Sequence, residues 1–391
     1  MVYLDNAATT KMKDSVLEKM LPYFTKNFGN ASSTYTTPGQ NARKGLSEAR
    51  ADVAKAIGAQ SGEIYFTSGG SEADNWAIKG VTLKNKKRGN HIITSTVEHH
   101  AVLHTCQFLE KQGFEVTYLP VDEYGMVSAE DVENAIKDTT VLVTIMFANN
   151  EIGTINPIKE IGAVCKKHGV LFHTDAVQAT GAVTIDVKDM NIDLLSMSAH
   201  KFHGPKGVGA LYIRKGVQIE NLIHGGAQES GKRATTENVA GIVGMAAALS
   251  DAAAHMEEKT KRITYLRDKL INGIEKSIPY CRLNGHREKR LPNNVSFCFR
   301  YIEGESLLLS LDIKGFVVSS GSACTSGSLD PSHVLLAIGL PHEIAHGSMR
   351  ATLSEFTTEE EIDEFIKTLG PIVQRLRDMS PLYEGVEKGK E

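Results

Sequence analysis

The chain has 391 residues, of which 41% are hydrophobic and 23% are charged, and its net charge is −4. This composition is typical of a soluble globular protein, and the length suggests two or three domains' worth of core. The charge is too small to indicate binding to nucleic acid or to a membrane surface. No apolar run approaches the length of a membrane span.

Cysteine usage is consistent with a reducing compartment. The five cysteines lie at positions 106, 165, 281, 298 and 324, and no Cys-x-x-Cys pair occurs. An odd number of scattered cysteines favours neither a disulfide framework nor a zinc site, so no metal is expected. Because a motif begins at Tyr3, the sequence leaves no space for a signal peptide. We therefore expect a cytoplasmic protein.

The first part of the chain predicts an alternation of strands and helices. An extended arm over 1–13 precedes a short helix over 14–21, a polar loop over 28–39 and a helix over 41–57. Strands are then predicted at 64–66, 92–94, 116–119, 141–147, 170–173, 192–197 and 208–213, and helices at 72–83, 100–111, 128–137 and 158–167. Such an alternation indicates a largely parallel sheet that is covered by helices on both faces.

The second part of the chain has a different pattern. An irregular, Gly-rich stretch over 214–235 leads into a long helical region over 237–278. After it, strands are predicted near 294–299 and 348–353, and helices near 305–312, 332–338 and 358–379. This pattern suits a smaller α+β domain. We predict a large domain over 14–255 and a small domain built from 1–13 and 256–391.

The loop that follows the predicted strand 192–197 carries a candidate nucleophile. Lys201 lies in this loop, with Ser198, His200 and His203 beside it. An amine held among such groups at a strand end can be partly desolvated, which lowers its pKa and makes it nucleophilic. Taken alone, the loop fits an ordinary surface lysine better, by roughly two to one.

A carboxylate upstream in the sequence makes a functional role for Lys201 the favoured interpretation. Asp175 follows the apolar strand 170–173, and a buried carboxylate needs a cationic partner. One such partner is the protonated ring nitrogen of pyridoxal phosphate, whose usual protein signature is a covalently linked lysine with an Asp at that nitrogen. Lys201 follows Asp175 by 26 residues, enough for one crossover that returns to the same edge of a parallel sheet. The alternative is an Asp that caps a helix.

Motifs spread over almost the whole chain are, taken together, far more specific evidence of function than the pair Asp175 and Lys201. They are Tyr3-Leu4-Asp5-Asn6-Ala7-Ala8-Thr9-Thr10, Phe66-Thr67-Ser68-Gly69, Glu98-His99, Asn149-Asn150-Glu151-Ile152-Gly153, the Asp175 and Lys201 segments, and Ser319 to Gly327. With them the chain resembles the class V enzymes that use pyridoxal phosphate, specifically the cysteine desulfurases of the nitrogenase and iron–sulfur-cluster type. The resemblance implies aminotransferase fold type I, an α/β fold. In this fold a large domain with a mainly parallel seven-stranded sheet is joined to a smaller α+β domain.

A turn ahead of the helix predicted at 72–83 is the candidate phosphate site. Backbone N–H groups at a helix N-terminus bind phosphate, although Gly-Gly-Ser is also an ordinary tight turn. The resemblance implies that Gly70 and Ser71 bind the cofactor phosphate, where the family more often has Ala-Thr. It also implies that Ser198 and His200 add contacts to the phosphate.

Three further side chains are assigned by the resemblance. An imidazole after a strand, such as His99, can stack on a pyridine ring and exchange protons near neutral pH, and the family places this histidine on the ring face. Gln178 is expected at the phenolic oxygen of the cofactor. Asn150 is expected close to the substrate and to that same edge of the cofactor. Loop capping is the alternative for both amides.

The segment Arg233-Ala234-Thr235-Thr236 resembles a family segment Arg-Ser-Gly-Thr, whose threonine reaches the cofactor phosphate of the other subunit. Thr236 takes the place of that threonine, which implies a homodimer. Thr235 replaces the family glycine, and a threonine disfavours backbone conformations that glycine adopts easily.

Cys324 and Arg350 complete the candidate site. Cys324 lies in a run of small residues, which suits a thiol that must travel, whereas the other four cysteines lie in or beside helix or strand patterns and are expected to be buried. An unreactive loop cysteine is the alternative, at roughly one in ten. Arg350 is the candidate for a bidentate clamp on the substrate carboxylate.

The hypothesis that follows is a cysteine desulfurase. Lys201 would hold pyridoxal phosphate covalently and remove the Cα proton of L-cysteine, with Asp175 at the ring nitrogen. Cys324 would take the substrate sulfur as a persulfide and leave L-alanine. The sulfur would pass to an acceptor protein, such as an iron–sulfur scaffold or a thiolation protein.

Three alternatives remain open. A selenocysteine lyase would share nearly all of these residues. An ordinary aminotransferase would need Lys201 and Asp175 but not Cys324. A non-enzymatic docking partner for sulfur-transfer proteins would lack the yellow absorbance of the bound cofactor.

Overall fold

The computed structural model describes residues 1–320 and 331–383. Within these ranges the helices are α1 (Asp14–Met20), α2 (Pro22–Thr25), α3 (Thr37–Ala56), α4 (Gly70–Lys84), α5 (His100–Glu110), α6 (Ala129–Ala135), α7 (Ile158–His168), α8 (Val239–Ala254), α9 (Met256–Ser277), α10 (Gly304–Ile313), α11 (His333–Ala337), α12 (His342–Ala345) and α13 (Glu359–Asp378). The strands are β1 (Val2–Tyr3), β2 (Ile64–Thr67), β3 (His91–Ser95), β4 (Glu115–Leu119), β5 (Thr140–Thr144), β6 (Leu171–Asp175), β7 (Leu194–Ser198), β8 (Gly209–Ile213), β9 (Cys281–Leu283), β10 (Asn294–Phe299), β11 (Phe316–Val317) and β12 (Ser348–Thr352).

The central sheet has seven strands in the order β2-β8-β7-β6-β5-β3-β4. Strand β8 is antiparallel to both of its neighbours, and every other pair is parallel. Successive side chains point to opposite faces, so Ile92 packs with α4 and α5, while Ile93 packs with α3, α7 and α8. The predicted mainly parallel, seven-stranded sheet with helices on both faces is confirmed.

The pairing of β6 with β7 sets the place of the predicted site. In their parallel register Asp175 lies opposite Ser196. The carboxyl ends of both strands therefore meet at one edge of the sheet. Strand β6 extends two residues beyond the predicted end at 173, so Asp175 is its last residue. Lys201 follows β7 in a single 3-10 turn, Ala199–Lys201.

A second, three-stranded antiparallel sheet has the order β12-β10-β9. It shares a separate core with α9, α10 and α13, in which Leu270, Phe297 and Phe365 are buried. Strand β1 pairs with β11, which joins the N-terminal arm to this part of the protein, and Leu4 enters the same core. A separate core for each sheet is what two domains require. The predicted domain bounds, 14–255 for the large domain and 1–13 with 256–391 for the small one, stay a prediction. The elements not predicted from the sequence are β1, β9, β11, α2 and α12, which have two to four residues each.

The helical region predicted over 237–278 is two helices that meet at His255 with a bend of 76°. The break follows from what each helix packs against. Helix α8 is mostly buried and lies against α1 and α3 on the large sheet, whereas α9 is amphipathic and lies against α13. In the described ranges no single helix is long and apolar enough to cross a membrane, and α8 with α9 passes that test only as a bent pair.

Four charged side chains connect the arm before α1, the α8–α9 junction and the loop after β12. Lys13 contacts Asp251 and lies 2.5 Å from Glu355, and Lys259 lies 2.8 Å from Asp251 and 3.2 Å from Glu355. Burial acts to raise the pKa of Asp251, but the hydrogen bonds from Lys13 and Lys259 outweigh it and lower the pKa to about 2. Because its pKa is lower in the folded state, the charged Asp251 stabilises the fold at pH values above its unfolded pKa of about 4. This contribution is lost as the pH falls toward the folded-state pKa.

We expect Asp251→Asn to lower the free energy of unfolding at pH 6 by an amount on the order of 1 kcal/mol. The difference from wild type should shrink as the pH falls from about 4 to about 2, where the wild-type carboxylate is itself protonated. Denaturant unfolding at several pH values measures both effects. Asp52→Asn, on the exposed face of α3, is the control and should give only a small difference. A pH-independent loss in Asp251→Asn would contradict this account.

Backbone strain is concentrated where the chain approaches α8. Thr235 has a φ of +104°, and Glu229 and Ser230 also have positive φ. A β-branched residue rarely adopts this region, and such a conformation costs about 1–3 kcal/mol. The threonine that replaces the family glycine therefore keeps a backbone conformation that suits glycine.

We expect Thr235→Gly to raise the free energy of unfolding by about 1 kcal/mol, because relief of strain exceeds the added entropy of the unfolded chain. Thr236→Gly is the matched control: the described residues with positive φ include Thr235 but not Thr236, so the control should be destabilised. Thermal or denaturant unfolding gives the comparison. Equal destabilisation of both variants would show that strain at Thr235 is negligible.

Candidate active site

A cavity of about 240 Å³ lies at the carboxyl ends of β6 and β7, where α/β sheets bind their ligands. The residues predicted from the sequence that line it are Gly70, Ser71, His99, Asn150, Asp175, Gln178, Ser198, His200, Lys201 and Arg350. The other lining residues are Ala7, Ala8, Asp74, Met146, Ala148 and Val177. The fold thus brings together residues from seven separate segments of the chain.

Lys201 is held at the cavity wall by the N-terminal arm. Its Nζ donates hydrogen bonds to the backbone oxygens of Ala7, at 2.5 Å, and Ala8, at 2.8 Å. The Ala7 oxygen also accepts a bond of 3.0 Å from the Gln178 side chain. The turn Ala7–Ala8 therefore sets the positions of both the lysine amine and the Gln178 amide.

Asp175 is buried at the end of β6, where its Oδ1 accepts the Val177 N–H at 2.9 Å. Burial raises the pKa of this carboxyl, while His99, the Val177 N–H and Lys201 act in the opposite direction. A buried carboxyl of this kind gains most from a cation placed directly against it. This is the environment that a protonated pyridine nitrogen requires.

Two more buried carboxyl groups lie beside Asp175. Burial and then Asp175 raise the pKa of Asp74 well above its usual range. Burial also raises the pKa of Glu98 to about 8, although its Oε1 accepts bonds from Ser95, at 2.6 Å, and from the Met146 N–H, at 3.0 Å. Both shifts favour the neutral form of the carboxyl group, and Asp175, with cationic neighbours, is the one suited to carry the charge.

The opposite end of the cavity is suited to an anion. Helix α4 begins at Gly70, two residues before the predicted start, because Glu72 closes its first turn by accepting the Ser68 N–H at 2.7 Å. No side chain among the described residues caps its N-terminus, so the N–H groups near Ser71 are available to a ligand. A Cβ on Gly70 would lie 2.6 Å from the Val177 side chain, so glycine is needed for this close packing.

His200 adds a neutral polar group to the same end. Burial, together with the charges of Lys201 and Lys206, lowers its pKa to about 4. Its Nδ1 lies 3.1 Å from the hydroxyl of Thr9. At neutral pH the ring can therefore contribute a hydrogen bond to an anion but no charge.

His99 is the N-cap of α5. Its Nδ1 accepts the Ala101 N–H at 3.1 Å. In the neutral ring the proton must then lie on Nε2, because one nitrogen of a neutral imidazole donates while the other accepts. Helix geometry thus selects the tautomer and the ring orientation.

Arg350 lies within β12, with its guanidinium almost fully buried at the cavity wall. Its Nη1 donates to the Asn150 oxygen and its Nη2 to Asp5 Oδ1, both at 3.0 Å. Its Nε has no hydrogen-bond partner among the described residues. A carboxylate ligand would supply an acceptor for this buried donor.

Two predicted residues do not line this cavity. Thr236 lines a neighbouring cavity of about 200 Å³, together with Ser68, Arg233 and Thr235, and its contact with another subunit stays a prediction. Cys324 lies outside the described residues. Of the other cysteines, three are buried as expected, and Cys281 is half-buried. Burial raises the pKa of Cys106, Cys165 and Cys298, which disfavours their thiolates.

Sequence reasoning missed Asp74 and the carbonyl groups of Ala7 and Ala8. Asp74 follows an ordinary helical pattern, and only packing against β6 reveals its burial beside Asp175. Ala7 and Ala8 lie within a quoted motif, but a backbone oxygen leaves no signal in residue type. The motif itself was the available signal that this turn matters.

Comparisons with known proteins show the family of this chain. The family described as Aminotransferase class-V matches residues 2–365. The chain is 62% identical over 392 residues to the cysteine desulfurase IscS of Clostridium botulinum, covering 100% of this chain and 98% of the relative. It is 60% identical over 381 residues to the cysteine desulfurase IscS of Methanosarcina thermophila, with 97% and 94% covered.

Solved structures are similar over nearly the same length. A NifS-like protein is 42% identical, with a TM-score of 0.90 over 96% of this chain and 100% of that one. A structure described as SspA in complex with cysteine is 39% identical, with a TM-score of 0.81 over 92% and 100%. Pyridoxal phosphate is the cofactor of this family, and the cavity has an amine, a buried acid and an anion end that suit it. The chain belongs to the class V aminotransferase family, as a cysteine desulfurase of the NifS and IscS type.

Proposed function

We propose that this chain converts L-cysteine to L-alanine and carries the sulfur on Cys324 as a persulfide, for iron–sulfur cluster assembly or thiolation. The observation that carries the proposal is the single cavity that gathers Lys201, Asp175, His99 and Arg350. The sequence similarity to full-length cysteine desulfurases supports the same activity.

The cavity fits pyridoxal phosphate by its donors and charges. Lys201 would hold the cofactor covalently, Asp175 would bind the ring nitrogen, and Gln178 and Asn150 would contact the phenolic oxygen. Gly70, Ser71, Ser198 and His200 would bind the phosphate, and His99 would lie on the ring face. When bound, the cofactor supplies an electron sink for the substrate.

Lys201 and His99 are the groups that move protons. The carbonyls of Ala7 and Ala8 keep Lys201 Nζ at the cavity wall. Once the substrate amine has displaced Lys201 from the cofactor, the freed lysine amine would take the Cα proton of the substrate. His99 exchanges its proton at Nε2, because Nδ1 is occupied by the Ala101 N–H. Each group therefore acts through an atom whose position the backbone sets.

Arg350 orients the substrate. A guanidinium binds a carboxylate through two parallel hydrogen bonds, and Arg350 presents a buried Nε that lacks a partner among the described residues. Asn150, whose oxygen accepts from Arg350 Nη1, lies on the same wall. Together they hold the amino acid by its α-carboxylate.

Sulfur transfer requires Cys324. Its thiolate attacks the sulfur of the substrate, so that an S–S bond forms and the Cβ–S bond of the substrate breaks. The electron pair of the broken bond remains with the substrate carbon, which takes up a proton to become the methyl group of L-alanine. The persulfide then passes its outer sulfur to an acceptor protein.

We also propose a homodimer in the cytoplasm, in which Thr236 of one subunit reaches the cofactor phosphate of the other. Thr236 is exposed, as a contact with a second subunit requires. An iron–sulfur scaffold or a thiolation protein is the expected acceptor, with no role for nucleic acid or a membrane.

We expect Cys324→Ala to keep the cofactor absorbance but to lower alanine release from L-cysteine, without added thiol, by at least about 100-fold. The persulfide should be absent from the variant, because its acceptor thiol is missing. Mass spectrometry and alanine assays measure both. Cys281→Ala, which removes a half-buried thiol, is the control and should resemble wild type. Equal turnover by Cys324→Ala and wild type would favour a lyase or an aminotransferase instead.

We expect Asp175→Asn to weaken cofactor binding by about 10- to 100-fold, because the charge-assisted bond to the ring nitrogen is lost. Asp74→Asn should weaken it far less, since burial and Asp175 already disfavour the charged form of the Asp74 carboxyl and an amide has the same shape. Titration of the cofactor-free protein, followed by absorbance, compares the two. Similar losses in both variants would mean that Asp175 is not the partner of the ring nitrogen.

A further inference from the structure

Two glutamates of the sequence motifs have no part in the proposed chemistry. Glu98 and Glu151 are buried and do not line the cavity. Each adjoins a residue that does line it, His99 and Asn150 respectively. Two consecutive residues at the start of helix α11 form hydrogen bonds to the turns that contain Glu98 and Glu151.

The bond to the Asn150 turn runs through two buried side chains. Ser332, directly before α11, donates its hydroxyl proton to Glu151 Oε2. The same hydroxyl oxygen accepts the N–H groups of Val334, at 3.1 Å, and Leu335, at 3.3 Å. One hydroxyl thus links the Glu151 carboxyl to the first turn of α11.

Glu151 is itself held on both sides. Its N–H donates to Asn149 Oδ1 at 2.8 Å, and its backbone oxygen accepts from the Asn294 side chain at 3.2 Å. Asn150, the next residue toward the cavity, accepts a bond from Arg350 through its backbone oxygen. The position of α11 is therefore tied to the wall that binds the substrate carboxylate.

A second bond ties α11 to the His99 turn. The Nε2 of His333 donates to the backbone oxygen of Glu98 at 3.0 Å. Consecutive residues, Ser332 and His333, thus bind the two turns that present Asn150 and His99 to the cavity. Cys324 precedes Ser332 by only eight residues in the sequence.

We propose that Glu151 is a positioning residue that, through Ser332, holds the start of α11 against the Asn150 turn and so sets the point from which Cys324 reaches the substrate. The inference rests on the proposed function. A misplacement of about 1 Å can cost 100-fold in rate, so we expect a bond that anchors the chain eight residues after the reacting thiol to affect sulfur transfer.

The charge on Glu151 should modulate this bond. Burial raises its pKa to about 7, while Ser332, Arg350 and His99 act to lower it. The titratable and charged groups that face it are Arg350 from β12 and His99 from the turn before α5. Its other partners, Ser332 and Asn294, are neutral. Ionisation above about pH 7 makes the bond from Ser332 charge-assisted and therefore stronger.

The first test compares Ser332→Ala with Ser128→Ala in the holoenzyme. Ser128 is the matched control, because it caps α6 and also donates to a carboxylate, Asp131, but does not line the cavity. We expect Ser332→Ala to keep the cofactor absorbance and the KM for L-cysteine within about twofold. Its rate of persulfide formation on Cys324 should fall about tenfold, whereas Ser128→Ala should match wild type.

The second test uses Glu151→Gln, which keeps an acceptor for Ser332 but cannot ionise. The ratio of the wild-type rate of persulfide formation to that of the variant should be near one at pH 6 and rise to about fivefold at pH 8. A purely structural role of Glu151 would lower the melting temperature without making this ratio depend on pH.

The outcomes separate this inference from the proposed function. If wild type forms no persulfide on Cys324, the proposed function is wrong. If wild type forms it and Ser332→Ala does so equally fast, Ser332 does not position Cys324, and the inference fails while the function stands. A constant ratio between pH 6 and pH 8 would also overturn the role of the Glu151 charge.

Discussion

The parallel hydrogen bonding between β6 and β7 is the constraint on which the site depends. Because Asp175 lies opposite Ser196, the ends of both strands point the same way. Asp175 then lies on the same sheet edge as the 3-10 turn that carries Lys201. A shift of one residue in this register would turn every side chain of one strand to the other face, which would separate the acid from the amine.

This arrangement buries three carboxyl groups, which is energetically unfavourable for their charged forms. Asp74, Glu98 and Asp175 are all buried near the cavity, and two buried carboxylates so close cannot both ionise cheaply. Burial raises the pKa values of Asp74 and Glu98, which favours their neutral forms, and His99 and Lys201 act to lower the pKa of Asp175. A cationic ring nitrogen against Asp175 would complete the compensation, so cofactor binding and folding are linked.

The N-terminal arm connects the site to the second sheet. Ala7 accepts bonds from Lys201 and Gln178, while Asp5 binds Arg350 and also accepts the Ser319 hydroxyl at 2.9 Å. Strand β1 of the same arm pairs with β11, and Leu4 packs into the core beneath the three-stranded sheet. The cofactor end and the substrate end of the cavity are thereby held by one short segment.

The sequence by itself determined the class of sheet, the family and ten residues that line one cavity. These features have local signals: alternating apolar runs, polar residues at strand ends, and ordered motifs. The tertiary structure alone decided the break at His255, the positive φ of Thr235, the raised pKa of Asp74 and the contacts of Glu151 with Ser332. The physical reason is that burial and hydrogen bonding depend on residues distant in sequence. Glu151 and Ser332 are separated by 181 positions, and no local pattern encodes that pairing.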